Sequence, residues 1–102
     1  PELRCGPVAL DPRAARVARN GTPVKLTSHE FRVLSYLMHH RDRVVSQREL
    51  TEHIYAQDFD RDSNTVEVFI ARLRRKIDTP GREPLLETVR GHGYRLRALG
   101  HS

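Results

Sequence analysis

Ser63-Asn64-Thr65-Val66-Glu67-Val68-Phe69-Ile70-Ala71-Arg72-Leu73-Arg74-Arg75-Lys76-Ile77 is the stretch that decides how this chain folds. Val66, Ile70, Leu73 and Ile77 recur at steps of four, three and four, with Phe69 beside them, which is the spacing of one apolar face on an α-helix. Half a turn round stand Asn64, Val68, Ala71, Arg72 and Arg75. One side is built for burial; the other begins in small or amide side chains and ends in guanidinium groups. A helix lying in a DNA groove needs that composition, because arginine bridges a guanine edge and small residues let the helix axis come close. A surface helix whose cationic end complements its own dipole carries the same pattern. Within this run the two readings stay open.

The totals narrow the class. A chain of 102 residues suits a single domain, residues 1–102, with one core that needs no staples. Hydrophobic residues make up 37% and charged residues 30%, with no apolar run long enough for a membrane span or signal sequence. A soluble, cytoplasmic protein with no membrane partner is the expectation. The opening Pro1-Glu2, without a methionine, reads as a linker remnant of something longer. The formal charge is +5, and Lys25 and Lys76 are the only lysines among 18 cationic residues. An arginine excess also follows from a GC-rich genome, but the net charge favours a polyanionic partner. Cys5 is the one cysteine, which excludes a disulfide framework and a thiolate metal cluster, and it reads as a small strand residue.

Residues 3–26 read as short strands, Leu3-Arg4-Cys5, Val8-Ala9-Leu10, Ala15 to Arg19 and Pro23 to Leu26, separated by Gly6-Pro7, Asp11-Pro12 and Asn20-Gly21. Asn-Gly between two alternating runs is a strong hairpin signal, since both residues tolerate positive φ. A small antiparallel sheet of three or four strands is the result. The period then changes. Thr27-Ser28-His29-Glu30 is a capping box, followed by Phe31, Leu34, Leu37 and Met38 on one face to about His40. After a bridge-length Val44-Val45, a second box, Ser46-Gln47-Arg48-Glu49, opens a helix with Leu50 and Ile54 inward that ends near Tyr55. Ala56 to Asp62 reads as a loop. The long helix starts at Ser63, capped by Ser63 or Asn64, and Asp78-Thr79-Pro80-Gly81 stops it. Leu86 to Arg90 and Tyr94 to Ala98 alternate around Gly91-His92-Gly93 as a closing hairpin. This α+β order, a strand cluster, three helices and a basic-tipped β-hairpin, is the layout of a winged helix-turn-helix.

At this point the chain resembles the C-terminal effector domain of the OmpR/PhoB family of two-component response regulators. The residues that carry the likeness are Leu26-Thr27 with Glu30-Phe31 and Leu34, Val44-Val45-Ser46 with Glu49-Leu50, and Thr65-Val66-Glu67-Val68 with Ile70, Arg72-Leu73-Arg74 and Lys76. The last block is Thr88-Val89-Arg90-Gly91-His92-Gly93-Tyr94-Arg95. The likeness covers residues 3 to about 97. It implies sequence-specific binding of double-stranded promoter DNA as the output of a phosphorelay, the third helix in the major groove and the wing in the neighbouring minor groove. It further implies a receiver domain of the same protein, absent here, and head-to-tail pairing on direct-repeat half-sites by a domain that is monomeric alone. RNA polymerase is an implied partner through the loop Gln57, Asp58, Phe59, Asp60 and Arg61.

Arg72 is the leading base contact, because arginine to guanine O6 and N7 is the commonest specific major-groove pairing. Val68 on the same face suits a thymine methyl. Asn64 and Thr65, at the helix start, can cap it or reach DNA, and free amides there bind phosphate. Arg75 lies on the groove face; Arg74 points off its centre, toward a phosphate or an ion pair within the protein. In the wing, Arg90 before the Gly-x-Gly turn suits a narrow A·T-rich minor groove. Thr88 is a backbone-contact candidate. Tyr94 reads chiefly as core, its hydroxyl on a backbone group or a phosphate. Asn64 and Ala71 replace basic residues common in the family, which shifts the expected specificity toward Arg72 and Arg75.

No catalytic or cofactor pattern competes. There is no glycine-rich phosphate loop, no HExxH and no Cys/His cluster, and the adjacent His39 and His40 point about 100° apart on a helix. No metal, cofactor or enzymatic role is expected. The rival class is a protein-docking winged helix that reads no DNA, since fold does not fix function. Such a module has no use for Arg72, Arg75 and Arg90 together. An RNA binder would display exposed aromatics for stacking, whereas the three Phe and three Tyr sit mostly at core phases.

Overall fold

The computed structural model describes residues 2–55, 65–78, 81 and 84–97. The chain begins as an antiparallel meander of four strands, β1 (Leu3–Cys5), β2 (Val8–Asp11), β3 (Arg16–Arg19) and β4 (Thr22–Val24), neighbouring one another in that order. The register aligns Leu3, Leu10, Val17 and Val24 in one row and Arg4, Ala9, Ala18 and Pro23 in the next. Because side chains alternate between faces, the first row turns to the core and the second does not. Asn20 and Gly21 both hold positive φ, 51° and 81°, as a two-residue hairpin loop matched to strand twist requires. The third strand starts at Arg16, one residue later than expected, because Ala15 takes φ 54°. At the preceding turn, Asp11 Oδ1 accepts from the backbone N–H groups of Arg13 and Ala14 at 3.0 and 3.3 Å.

Helix α1 (Ser28–His39) has the full capping box. Thr27 Oγ1 accepts from the Glu30 amide at 3.3 Å and Glu30 Oε1 from the Thr27 amide at 3.1 Å. Its buried apolar residues are Val33, Leu34, Leu37 and Met38, while Phe31 is only half-buried. Val33 joins the core because α1 packs against β1 as well as the two later helices, so its buried face is wider than one stripe. Helix α2 (Gln47–Tyr55) buries Leu50 and Ile54. Ser46 Oγ accepts from the Glu49 amide at 3.0 Å, but the Glu49 carboxylate does not close the second box. It accepts instead from Arg43 at 2.6 Å and from the Tyr36 hydroxyl.

Helix α3 (Val66–Ile77) starts three residues later than the sequence pattern suggests. Thr65 is its N-cap, extended at φ −95° and ψ 169°, with no side-chain cap. Its carbonyl accepts from the amides of Val68 and Phe69. Ser63 and Asn64 lie outside the described residues. Val66, Phe69, Ile70, Leu73 and Ile77 are all buried, as the period requires. At the far end Asp78 ties the helix to Leu85 and to the sheet: its Oδ1 accepts from the Leu85 amide at 2.8 Å, and its carbonyl accepts from Arg19 at 3.3 Å.

The hairpin of β5 (Leu86–Val89) and β6 (Gly93–Leu96) closes the fold. Val45 bridges Tyr94, the Val45 amide donating to the Tyr94 carbonyl at 2.7 Å and the Tyr94 amide to the Val45 carbonyl at 2.8 Å. This makes the approach to α2 a third rung on the hairpin. Gly93 permits the contact. A Cβ there would stand 2.8 Å from Ser46 Cα and from the Val45 carbonyl carbon. One continuous core joins the inner face of the sheet, the three helices and Leu85, Leu86, Tyr94 and Leu96. Cys5 is part of it, its thiol donating to the Arg97 carbonyl at 3.2 Å and pushed above its ordinary pKa by burial. Among the described residues no helix is long and apolar enough to cross a membrane.

Candidate nucleic-acid interface

The outward side of α3 is short of polar protein partners. Thr65, Glu67, Ala71 and Arg75 are exposed, and Val68 and Arg72 are half-buried. Val68, Arg72 and Arg75 follow at helical spacing on the side opposite Phe69, Ile70 and Leu73, so one strip runs from an apolar side chain to two guanidinium groups. Glu67 adds one carboxylate in the first turn, where it complements the helix dipole. Asn64 would extend the strip but lies outside the described residues, as do Gln57, Asp58, Phe59, Asp60 and Arg61.

Most of the other cations among the described residues are occupied within the protein. Arg4 pairs with Glu2, Arg43 with Glu49, Arg48 with Glu52, and both Arg95 and Arg97 with Glu87. Arg32 donates to the Ile54 carbonyl at 2.8 Å, and Arg41 donates to the Arg4 carbonyl. Lys76 is held at 2.6 Å by Glu30, whose side chain is 1% exposed. Against that background, Arg72, Arg75 and Arg90 have no acceptor among the described residues, and neither do Arg13, Arg16 and Lys25 in and beside the sheet. The first three lie on α3 and at the hairpin turn. Guanidinium groups without an acceptor make a local positive field, offset among the described residues of α3 only by Glu67.

The two other basic or polar candidates are placed differently. Arg74 turns along the hairpin, Nε donating to the Leu86 carbonyl at 3.1 Å and Nη2 donating to the Thr88 hydroxyl. Arg74 is therefore joined to Thr88 by one hydrogen bond and to Leu86 by another, where the sequence left a phosphate or an internal ion pair open for Arg74. Tyr94 is 7% exposed, packed in the core. Burial, with Glu67 close by, pushes its hydroxyl above the ordinary phenol range, so it stays protonated. Arg90, Gly91 and His92 form the exposed turn between the strands, His92 donating its amide to the Val89 carbonyl at 2.9 Å.

Gln47, which the sequence did not single out, lines a notch of about 290 Å³ with Thr88, Val89 and the Gly91-His92-Gly93 turn. The Val45–Tyr94 bridge brings the start of α2 to the hairpin, and two valines in a row carry no signal of that pairing. The arrangement offers a helix strip, a basic hairpin tip and the free amides of a helix start, which are the elements that grip a polyanionic duplex. Among the described residues no three His, Cys, Asp or Glu side chains come together as a metal-holding group.

Residues 21–96 match the family model described as "Transcriptional regulatory protein, C terminal". The chain is 44% identical over 96 residues to the probable transcriptional regulatory protein TcrX of Mycobacterium tuberculosis, covering 94% of this chain and 41% of that protein. It is 41% identical over 92 residues to the two-component response regulator PhoP of Pseudomonas aeruginosa, covering 90% of this chain and 41% of that one. The chain thus spans about two fifths of the length of these curated relatives. Among solved structures, the DNA-binding domain of CpxR from E. coli superposes with a TM-score of 0.81 at 28% identity, covering 98% of this chain and 99% of that one. The Klebsiella pneumoniae RstA DNA-binding domain in complex with the RstA box gives 0.80 at 28% identity, covering 95% and 97%. With three quarters of its length inside the family model, and the same sheet, helices and hairpin as these domains, the chain belongs to the C-terminal domains of OmpR/PhoB-type transcriptional regulatory proteins.

Proposed function

We propose that this chain binds double-stranded promoter DNA sequence-specifically, as the output domain of a two-component response regulator. Helix α3 enters the major groove and the hairpin turn enters the adjoining minor groove. The observation that carries the reading is that Arg72, Arg75 and Arg90, on α3 and the hairpin, have no acceptor among the described residues, where most of the other described arginines have one. Its relatives support it, among them a domain solved on its own DNA box. Arg72 reads a guanine edge, Val68 meets a thymine methyl, and Arg75 and the Thr65 end of the helix hold phosphates. Asn64 completes the contact at the helix start. Arg90 enters the narrow minor groove, where an A·T-rich sequence deepens the negative potential.

The domain works in the cytoplasm behind its receiver domain and performs no catalysis of its own. Two copies sit head to tail on direct-repeat half-sites, and the segment from Gln57 to Arg61 meets RNA polymerase. Footprinting of the receiver-linked protein on promoter DNA tests the reading at stated salt. The expected result is protection of two direct half-sites about one helical turn apart. A palindromic footprint would reject the head-to-tail arrangement, and absence of protection at low salt would favour the protein-docking reading.

A further inference from the structure

Resting on the reading of α3 and the hairpin as one DNA-contacting surface, we propose that Arg74 is a positioning residue: it aims the hairpin, and through it Arg90, at the minor groove without touching DNA. Its guanidinium spans from α3 to β5 at two points, through Nε to the Leu86 carbonyl at 3.1 Å and through Nη2 to the Thr88 hydroxyl. Among the described residues these are the only hydrogen bonds between α3 and the two hairpin strands. Elsewhere β6 is held by the Val45–Tyr94 bridge and by the Asp42 amide, which donates to the Leu96 carbonyl at 3.0 Å, while Asp78 at the end of α3 accepts from the Leu85 amide just before β5. Glu87 holds Arg95 and Arg97, staying within the hairpin and the residue just after it. With the Leu85 end of β5 anchored at Asp78, the pitch of the rest of the strand against α3 is set, among the described hydrogen bonds, by Arg74.

Arg90 stands two residues beyond Thr88, at the start of the turn, exposed and without an acceptor among the described residues. A rotation of β5 about its Leu86 end carries Arg90 with it, so the same fork that orients Thr88 fixes where the hairpin tip meets the duplex. The planar fork is what the task needs. Lysine supplies one mobile point charge and cannot hold a carbonyl and a hydroxyl in fixed relation. A direct phosphate contact makes the opposite demand, since a lysine at that place still binds phosphate as a point charge.

The test is a double-mutant cycle read by DNA affinity. The probe is a duplex that the 102-residue chain itself selects from a random pool. Dissociation constants are measured for the parent chain, Arg74→Lys, Arg90→Ala and the double variant at one salt concentration. Positioning predicts that Arg74→Lys and Arg90→Ala each weaken binding roughly tenfold, and that the double variant is within about twofold of Arg90→Ala alone. Thr88→Val, which removes one of the two wing-side acceptors and leaves every charge in place, follows the same cycle with a smaller penalty. It carries the test if Arg74→Lys fails to melt cooperatively. Parent-like affinity of Arg74→Lys, or penalties that multiply in the double variant, overturns the proposal while leaving the DNA reading intact. If the chain selects no duplex from the pool, the DNA reading itself falls, and this proposal with it.

Discussion

At Gly93 a hydrogen atom stands where any other side chain would meet backbone. The residue's φ is 145°, and an added Cβ would press on the Val45 carbonyl and come within 2.8 Å of Ser46 Cα. Gly93→Ala is expected to cost about 2–4 kcal/mol and to break the Val45–Tyr94 bridge, as strain at a closed backbone contact does. Urea unfolding gives the first quantity and amide exchange at Val45 and Tyr94 the second; an unmoved midpoint would mean that the hairpin is not seated there. Glu49 makes a pH-dependent counterpart. Arg43 first, and then the Tyr36 hydroxyl, hold its carboxyl at about 2 against an ordinary 4.5. The contribution is therefore present above about pH 4.5 and is lost as pH falls toward 2. Its half-exposed setting screens the effect, so the expected change is modest. Glu49→Gln should lower the urea midpoint at pH 6 and leave it almost unchanged at pH 2; an equal loss at both would remove the charge from the account. Single residues also mark where sequence reading stops. Arg72 and Arg75 were legible because helical period alone turns them outward. Arg74's placement was not, because its acceptors lie 12 and 14 residues further on and one of them is a backbone carbonyl.

Elements were more legible than their ends. The meander, three helices and hairpin follow from alternation, two serine or threonine capping signals and Asn20-Gly21, each a local feature. The ends depended on tertiary choices. Helix α3 begins at Val66, where burial starts, and its cap Thr65 uses only backbone. Glu49 left its expected capping role because Arg43 and Tyr36 supply stronger, partly charge-assisted partners. The tie that holds the last turn of α3 is equally non-local. Lys76, in the last turn of α3, reaches Glu30, which is buried and already caps α1. Removing the ammonium leaves a carboxylate with 1% exposure short of its counter-charge. Lys76→Met should cost about 2–3 kcal/mol, the low side of a broken buried pair because the lysine itself is one-third exposed. Chemical denaturation measures it. A midpoint equal to the parent's would show that the capping hydrogen bonds suffice for Glu30.

Across the whole molecule, charge placement joins fold to function. A net charge of +5 says little by itself about where a duplex would sit. Among the described residues, most arginines pair with carboxylates or carbonyls, and the cations left without an acceptor are those of the α3 strip and the hairpin tip, with Arg13, Arg16 and Lys25 in and beside the sheet. Affinity from such groups falls with salt through counterion release, whereas choice of sequence depends on base-edge contacts. The candidate site was thus legible wherever function needs an unpaired charge on a periodic element, and illegible where a cation is held by a distant partner. The central claim is that Arg72 reads a base. Its most direct measurement is the affinity of the chain and of Arg72→Ala for the selected duplex and for duplexes each changed at one base pair, at fixed salt. The expected result is that the parent discriminates about 10- to 100-fold at the G·C pair that Arg72 meets, and that Arg72→Ala loses discrimination there alone. An equal loss of affinity for every duplex, with discrimination preserved at each position, would make Arg72 a phosphate contact and contradict it.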